Sequence, residues 1–446
     1  MFIRYPMSST RLCGTAAACV LLFLLVLACG CGDYVPNHDV IVIAIHPDGT
    51  TAWTRTLDTG FDDVAGDIAE TPAGDLIVAG GNASQRYGTP KPKLVWLSGN
   101  GTILSETTDT GLHGDPTSVI VTRDGSVVTS TYGGEVSRFD ADGRLLSTTA
   151  TGLEGVWAIA ETPDEGVAVA GQSWEQYPTG SVAEYDANGT LTTRAPLASE
   201  AVVTPGCHET VLMAGEREIP VTECVVPFMS TSQAAVTLLD KNGTMVRTRG
   251  YGASGLGSFW SVAAADDGGL YLSAFGTAAG PDGNAENHRY AVYLREDGTI
   301  SWITDLGTAD QYFPSVWDAR PDRLRLIVPA EYSIGDNSTS VRPELVELGP
   351  DGNVTARRPI NASRLITPTA DGGFFSAGIP VGNGAPGYLD GLSGTDPKNE
   401  LHAMKISADG TREWDHVVAN GLAGTIKKVI QTADGGYVIL ALRENG

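Results

Sequence analysis

Few residues in this 446-residue chain are arranged for chemistry. The seven histidines (His38, His46, His113, His208, His288, His402 and His416) are scattered, and no pair has the spacing at which a helix presents two metal ligands. There is no Gly-x-Ser-x-Gly, no His-Glu-x-x-His and no phosphate-binding loop. Asp62, Asp63 and Asp67 form a weak acidic group of the kind that holds Ca²⁺, an ion that takes roughly six to eight oxygens. A solvated acidic loop is the simpler reading in so acidic a chain. Asp140-Ala-Asp142-Gly143 opens like a Ca²⁺ loop but lacks the later Glu, and it sits at a turn. His113 and Asp115 could meet Glu200 only if the fold brought them together, and nothing in the sequence favours that. No catalytic residue and no cofactor are read from these patterns. Cys207 and Cys224, the two cysteines in the body of the chain, read as a disulfide in an exported protein. Closing that loop would contribute roughly 3 kcal/mol in the chain-entropy picture.

The elements that must position any site are strands. Asp/Asn-Gly turns recur at Asp48, Asn100, Asp142, Asn188, Asn242, Asp297, Asp351 and Asp409, at spacings of 42 to 58 residues. An alternating apolar run precedes each and a short strand follows, with Trp53, Trp302 and Trp414 in matching places; this is the strongest short-range hairpin signal. A second hairpin interleaves with the first, over 68–81, 119–132, 159–172, 202–216, 262–276, 317–332, 366–379 and 429–442. Four short strands about every fifty residues, without helical periodicity, predict an all-β propeller of four-stranded antiparallel blades. If the second type supplies strands A and B and the first C and D, the chain opens on a C–D pair and ends on an A–B pair. Joined, these complete one blade and close a ring of eight, leaving no open edge. Seven blades is the alternative.

Strand order also places the loops. The A–B and C–D turns are tight and share one face. The B–C and D–A links, long at 81–92, 215–233, 276–288, 379–400, 58–67, 250–258 and 306–315, share the other. Function tends to live on long loops held by a rigid scaffold, so the linked face is where a site is expected. Strand A is innermost in a propeller. The residues at its start would ring the channel mouth: Asp67, Ser118, Trp157, Glu200, Trp260, Trp317, Arg364 and Lys428. Rings that stack and charges that orient could grip a protein or a glycan there, with Trp174, Tyr177 and Tyr312 nearby. The competing reading is that these tryptophans pack between blades.

The N-terminus addresses the chain. Arg4 and Arg11 precede an apolar run from Ala16 to Leu27, too short to be a comfortable membrane span and followed by small residues, which reads as an export signal over 1–28. Val26-Leu27-Ala28-Cys29 resembles the lipobox of microbial lipoproteins, with Cys31 as the alternative lipidation site. That resemblance implies a short lipid-anchored linker at 29–38, a propeller over 39–446, and membrane contact through the anchor alone. Without the leader the chain holds 27 basic against 53 acidic residues, the wrong sign for nucleic acid. The oligomeric state is left open. Seven Asn-X-Ser/Thr sequons suit an exterior location.

The C–D unit (VYLREDGTISW, AIHPDGTTAW) resembles the repeat of quinoprotein-type, PQQ-like eight-bladed propellers, and the A–B unit (TADGGYVILA) is similar to repeats of exported microbial propeller lipoproteins. Quinoprotein dehydrogenases seat their quinone beside an adjacent cysteine pair, which this chain lacks. The resemblance therefore implies a cell-surface or periplasmic binding platform. An exported glycan hydrolase or lyase, or a quinone- or metal-dependent oxidoreductase, is the second reading.

Overall fold

In the computed structural model seven of the Asp/Asn-Gly repeats close as tight turns whose glycine lies in the left-handed region, and Asn188-Gly189 falls outside the described residues. At the first, Gly49 N–H donates to His46 O (2.9 Å) and His46 N–H to Thr50 O (2.8 Å), with Gly49 at φ 87°. Asp48 accepts from Thr50 N (2.9 Å) and Oγ1, which is why Asp or Asn precedes the glycine.

The structure describes residues 37–445 apart from 60–61, 84–90, 109, 175–180, 186–190, 197–205, 215–216, 226–231, 280–283, 309–315, 321–322, 336–337, 361, 364, 381–387, 390, 393–399 and 421–423. Four strands between 181 and 225 are described by their backbone alone. Among the described residues no helix is long and apolar enough to cross a membrane.

The expected count of eight blades is corrected: the described strands form seven. Blade 1 runs Asp62–Glu70, Leu76–Ala83, Lys91–Leu97 and Ile103–Thr107; blade 2 runs Pro116–Val121, Val127–Thr131, Glu135–Phe139 and Leu145–Ala150. Blade 3 takes Gly155–Glu161 and Val167–Trp174, then Ser232–Leu239 and Met245–Gly250. Blades 4, 5 and 6 begin at Leu256–Ala264, Val316–Arg320 and Ile366–Pro368. Blade 7 joins the chain ends: Gly424–Gln431 and Tyr437–Asn445 lie beside Asn37–Ile45 and Thr51–Leu57, in register from Asn37↔Asn445 to Ile45↔Tyr437. The predicted closure therefore holds in the smaller ring.

The missing blade is an insertion between strands B and C of blade 3. The Asn188 hairpin does form, as Ser181–Tyr185 and Leu191–Pro196, but it pairs onto the outer strand of blade 3 (Val182↔Arg249, Ala183↔Thr248). The 202–216 segment is not an A–B hairpin: Gly206–Ala214 turns back as Arg217–Val225. The physical reason is burial on both faces. A central blade strand packs against two neighbouring blades, and blade 3 recruits Ala234, Ala235 and Val236, all buried, for its third strand. Ser181–Tyr185 carries a charge, Glu184, and joins instead outside the outer strand of blade 3, leaving Leu191–Pro196 as the edge.

Seven apolar clusters lie at seven blade junctions. Between blades 6 and 7, for example, Phe375 stacks on Tyr437 (4.2 Å between centroids) among Ile43, Leu401 and Ile439. The core is thus a ring of interfaces rather than one deep centre.

Candidate functional site

Side chains of a blade strand alternate toward the two neighbouring blades, so an innermost strand offers mostly backbone to the channel. A β-bulge changes that by re-aiming one residue. The inner strands of blades 1, 2, 3, 4 and 7 are all bulged, with Gly66, Thr117, Trp157, Trp260 and Lys427 as the extra residues. At Gly66 a Cβ would stand 2.2 Å from the Pro116 carbonyl oxygen of blade 2, so only glycine fits.

In blades 3 and 4 the extra residue is tryptophan at the same level of the strand. The half-buried indoles of Trp157 and Trp260 stack, 4.4 Å between centroids and 13° between planes. Tyr132, 40% exposed at the end of the second strand of blade 2, meets Trp157 edge-on at 5.0 Å. Three consecutive blades thereby contribute one aromatic cluster, the two indoles from inner strands and Tyr132 from the end of a second strand. Trp260 Nε1 donates to Ser258 Oγ (2.6 Å), while Trp157 Nε1 is buried without a hydrogen-bond partner. Tyr132 was not among the expected residues; neither its place nor the bulges leave a mark in the strand pattern.

Three of the charged or polar residues expected at the mouth also meet. Asp67, buried in blade 1, takes an ion pair from Lys428 Nζ of blade 7 (3.2 Å). It also accepts from Ser118 Oγ (3.2 Å) and Val119 N (3.1 Å) of blade 2. One carboxylate ties three blades. Trp317 lies elsewhere: it is buried between blades 4 and 5 with Leu306, Leu326 and Val346, 5.5 Å from the Tyr271 ring. Glu200, Arg364, Tyr177 and Tyr312 fall outside the described residues, as do Cys29 and Cys31, and Trp174 is described by its backbone only.

The acidic triplet separates. Asp62 accepts from His38 N (3.1 Å) and pairs with its Nδ1 (2.7 Å), while Asp67 serves the three-blade tie. Asp63 instead joins Asp39 and Asp58, with one carboxylate oxygen of each within 4.8 Å of the others. Burial pushes the Asp63 carboxyl upward, against hydrogen bonds from Thr59 Oγ1 and N that favour its ionised form. Arg443 Nη2 donates to Asp39 (2.8 Å), so part of that charge is already met. His113 pairs with Glu135 (3.2 Å). The backbone register sets Cys207 directly opposite Cys224.

No protein-family profile matches the chain, and no curated protein matches it. Solved propellers are similar in outline only. BamB from Moraxella catarrhalis is 13% identical over 90% of both chains, with a TM-score of 0.38. The Dos1 propeller is 10% identical over 86% of this chain and 92% of its own, TM-score 0.40. Sqt1 from Chaetomium thermophilum is 14% identical over 87% and 96%, TM-score 0.43.

Proposed function

We propose that this chain is an exported, lipid-anchored β-propeller that serves as a binding or scaffolding module for a protein partner at a cell surface. The observation that carries the reading is the Tyr132–Trp157–Trp260 cluster, its two indoles set by bulges in the inner strands of blades 3 and 4 and its Tyr132 at the end of the second strand of blade 2, toward the face that bears the long links. Large rigid aromatics supply contact area at little entropic cost, and they dominate protein interfaces. Sugar stacking needs free ring faces, and each indole here gives one face to the other, so a protein is favoured over a glycan. The apolar leader and Cys29 support the anchor, with Cys31 as the competing acylation site. The Cys207↔Cys224 register supports the disulfide, which a thiol count on unfolded, unreduced protein would check.

The test uses whole cells. Cross-linking at the surface should capture a partner with the native chain and lose it with Trp157→Ala/Trp260→Ala, while the melting temperature falls by only a few degrees. Unfolding of that variant, or capture unchanged by it, rejects the aromatic site; recovery of glycan alone rejects the protein partner. In the same cells Cys29→Ser should release the chain from membranes. Retention in both Cys29→Ser and Cys31→Ser would remove the anchor.

A further inference from the structure

Asn37, the first described residue, opens the third strand of blade 7 and is paired with Asn445 at the linked-face end of Tyr437–Asn445. The same strand runs to Ile45, and the turn that follows over His46–Thr50 lies on the turn face. The chain therefore enters the ring on the linked face, the face of Tyr132, Trp157 and Trp260. The nine residues of Asn37–Ile45 rise about 27 Å from one face to the other.

That entry point, with the anchor proposed above, decides which face can look at a bilayer. Asn37 follows Cys29 by eight positions and Cys31 by six. Residues 30–36 lie outside the described residues, yet their number caps their reach. Fully drawn out, the tether spans about 28 Å from Cys29 and about 21 Å from Cys31. To seat the turn face on the membrane it must first climb the whole ring, about 27 Å, with next to nothing left over. From Cys31 it falls short. With the linked face toward the bilayer there is nothing to climb.

We propose that the linked face looks toward the membrane that holds the chain, and that its partner is a protein embedded in that same membrane. The inference rests on the lipid anchor and the aromatic site proposed above. The lipid itself is a poor occupant. Without its leader the chain carries 27 basic against 53 acidic residues, and an anionic headgroup layer repels it. The same charge selects the partner's contact segment: an extramembrane loop with basic side chains around an apolar one that packs on the cluster. Sharing a membrane confines both proteins to one plane, which raises their effective concentration without any new contact.

Photo-cross-linking amino acids in place of Gly133 and Lys241 test this in intact cells. Gly133 is exposed beside Tyr132 on the linked face, and Lys241 stands at the Asn242 turn with its side chain 62% exposed. The Gly133 probe should label a protein that stays in the membrane through alkaline washing, and the Lys241 probe should not. The yield should fall at least about tenfold in Cys29→Ser/Cys31→Ser at equal expression. About twenty Gly/Ser residues inserted before Asn37 should let the Lys241 probe reach membrane proteins too. Labelling of a soluble protein, undiminished in the released chain, overturns the proposal. So does equal labelling from both probes at the native tether length, which a ring lying on its rim would give. Retention of the Cys29→Ser/Cys31→Ser chain in membranes removes the anchor and this inference with it. Membrane-protein labelling at Gly133 that survives Trp157→Ala/Trp260→Ala removes the aromatic site alone and leaves the orientation standing.

Discussion

The two faces of the propeller are built on opposite plans. On the turn face every blade is fastened to the next at its C–D turn. Trp53 Nε1 donates to Gly99 O (2.8 Å) and Trp302 Nε1 to Pro350 O (3.2 Å). Thr149 Oγ1 reaches Gly243 O (2.6 Å), Arg247 reaches Asp297 O (2.8 Å) and Arg358 reaches Ala408 O (2.8 Å). Trp96 lies against Gly143, and Trp414 with His416 against Gly49. The A–B turns are tied in the reverse direction: Glu70, Glu161 and Gln431 accept from Ala433 N, Arg123 N and Ala370 N of the preceding blades. The other face carries links of variable length and, between 174 and 232, a whole inserted pair of hairpins. Its aromatic cluster of Tyr132, Trp157 and Trp260 draws on three neighbouring blades and is not one unit repeated blade by blade. A scaffold stapled on one face can vary the other freely, and that is the lesson of the contrast.

The contrast can be broken first at the ion pair of blade 5. Arg325 and Asp318 are both buried, their side chains 6% and 1% exposed, and Arg325 continues to Gly372 O of blade 6 (2.8 Å). Asp318→Ala leaves a buried guanidinium without its counter-charge and should cost about 3–5 kcal/mol in denaturant unfolding. A loss below about 1 kcal/mol would show that the turn side is not what holds the ring. Gly101→Ala is the next largest. The residue sits at φ 81°, and a Cβ there would stand 2.7 Å from the Trp53 ring, so about 1–2 kcal/mol should be lost. The matched loop-face change, Tyr132→Ala, should stay within about 0.5 kcal/mol. Equal losses at the two sites would erase the distinction.

The smallest effect is in acid. Asp409, at an exposed C–D turn, is held down to about 2 by hydrogen bonds from Ser407 Oγ and Thr411. A carboxyl lowered in the folded state stabilises above its unfolded value, near 4, and loses that contribution as the pH falls through about 2. Asp409→Asn keeps the turn, as Asn100 does in blade 1, and should flatten the fall in melting temperature between about pH 4 and 2. On the other face the sign reverses, since burial raises Asp63 and its ionisation opposes folding as the pH rises. An unchanged acid limb in Asp409→Asn would detach the turn carboxylates from stability.

Much of the scaffold was legible because hairpins are local. Seven of the eight predicted Asp/Asn-Gly turns lie between the outer strands of blades, since the turn chemistry and the flanking alternation sit within a few residues of one another. The site was less so. Asp67, Ser118 and Lys428 were expected near one another and are hydrogen-bonded, and Trp157 and Trp260 were expected at one level and stack. Trp317 occupies the corresponding stretch of blade 5 yet is buried between blades. A tryptophan's place on a strand does not say whether a bulge turns it inward, because a bulge belongs to the pairing of two strands and not to the alternation of one.

What the sequence determined by itself is the fold class, the turn positions, the pairing of the chain's two ends and the division into a tight face and a linked one. These rest on alternation and turn chemistry, which act over a few residues. The blade count and the partners of each chemical group were decided by tertiary structure. The Asn188 hairpin is as good a hairpin as its neighbours, but only a strand apolar on both faces can sit in mid-blade, and Ser232–Leu239 wins that place over Ser181–Tyr185. The same holds for Asp62, Asp63 and Asp67, near in sequence and sent to three different sets of partners because adjacent strand positions face different blades.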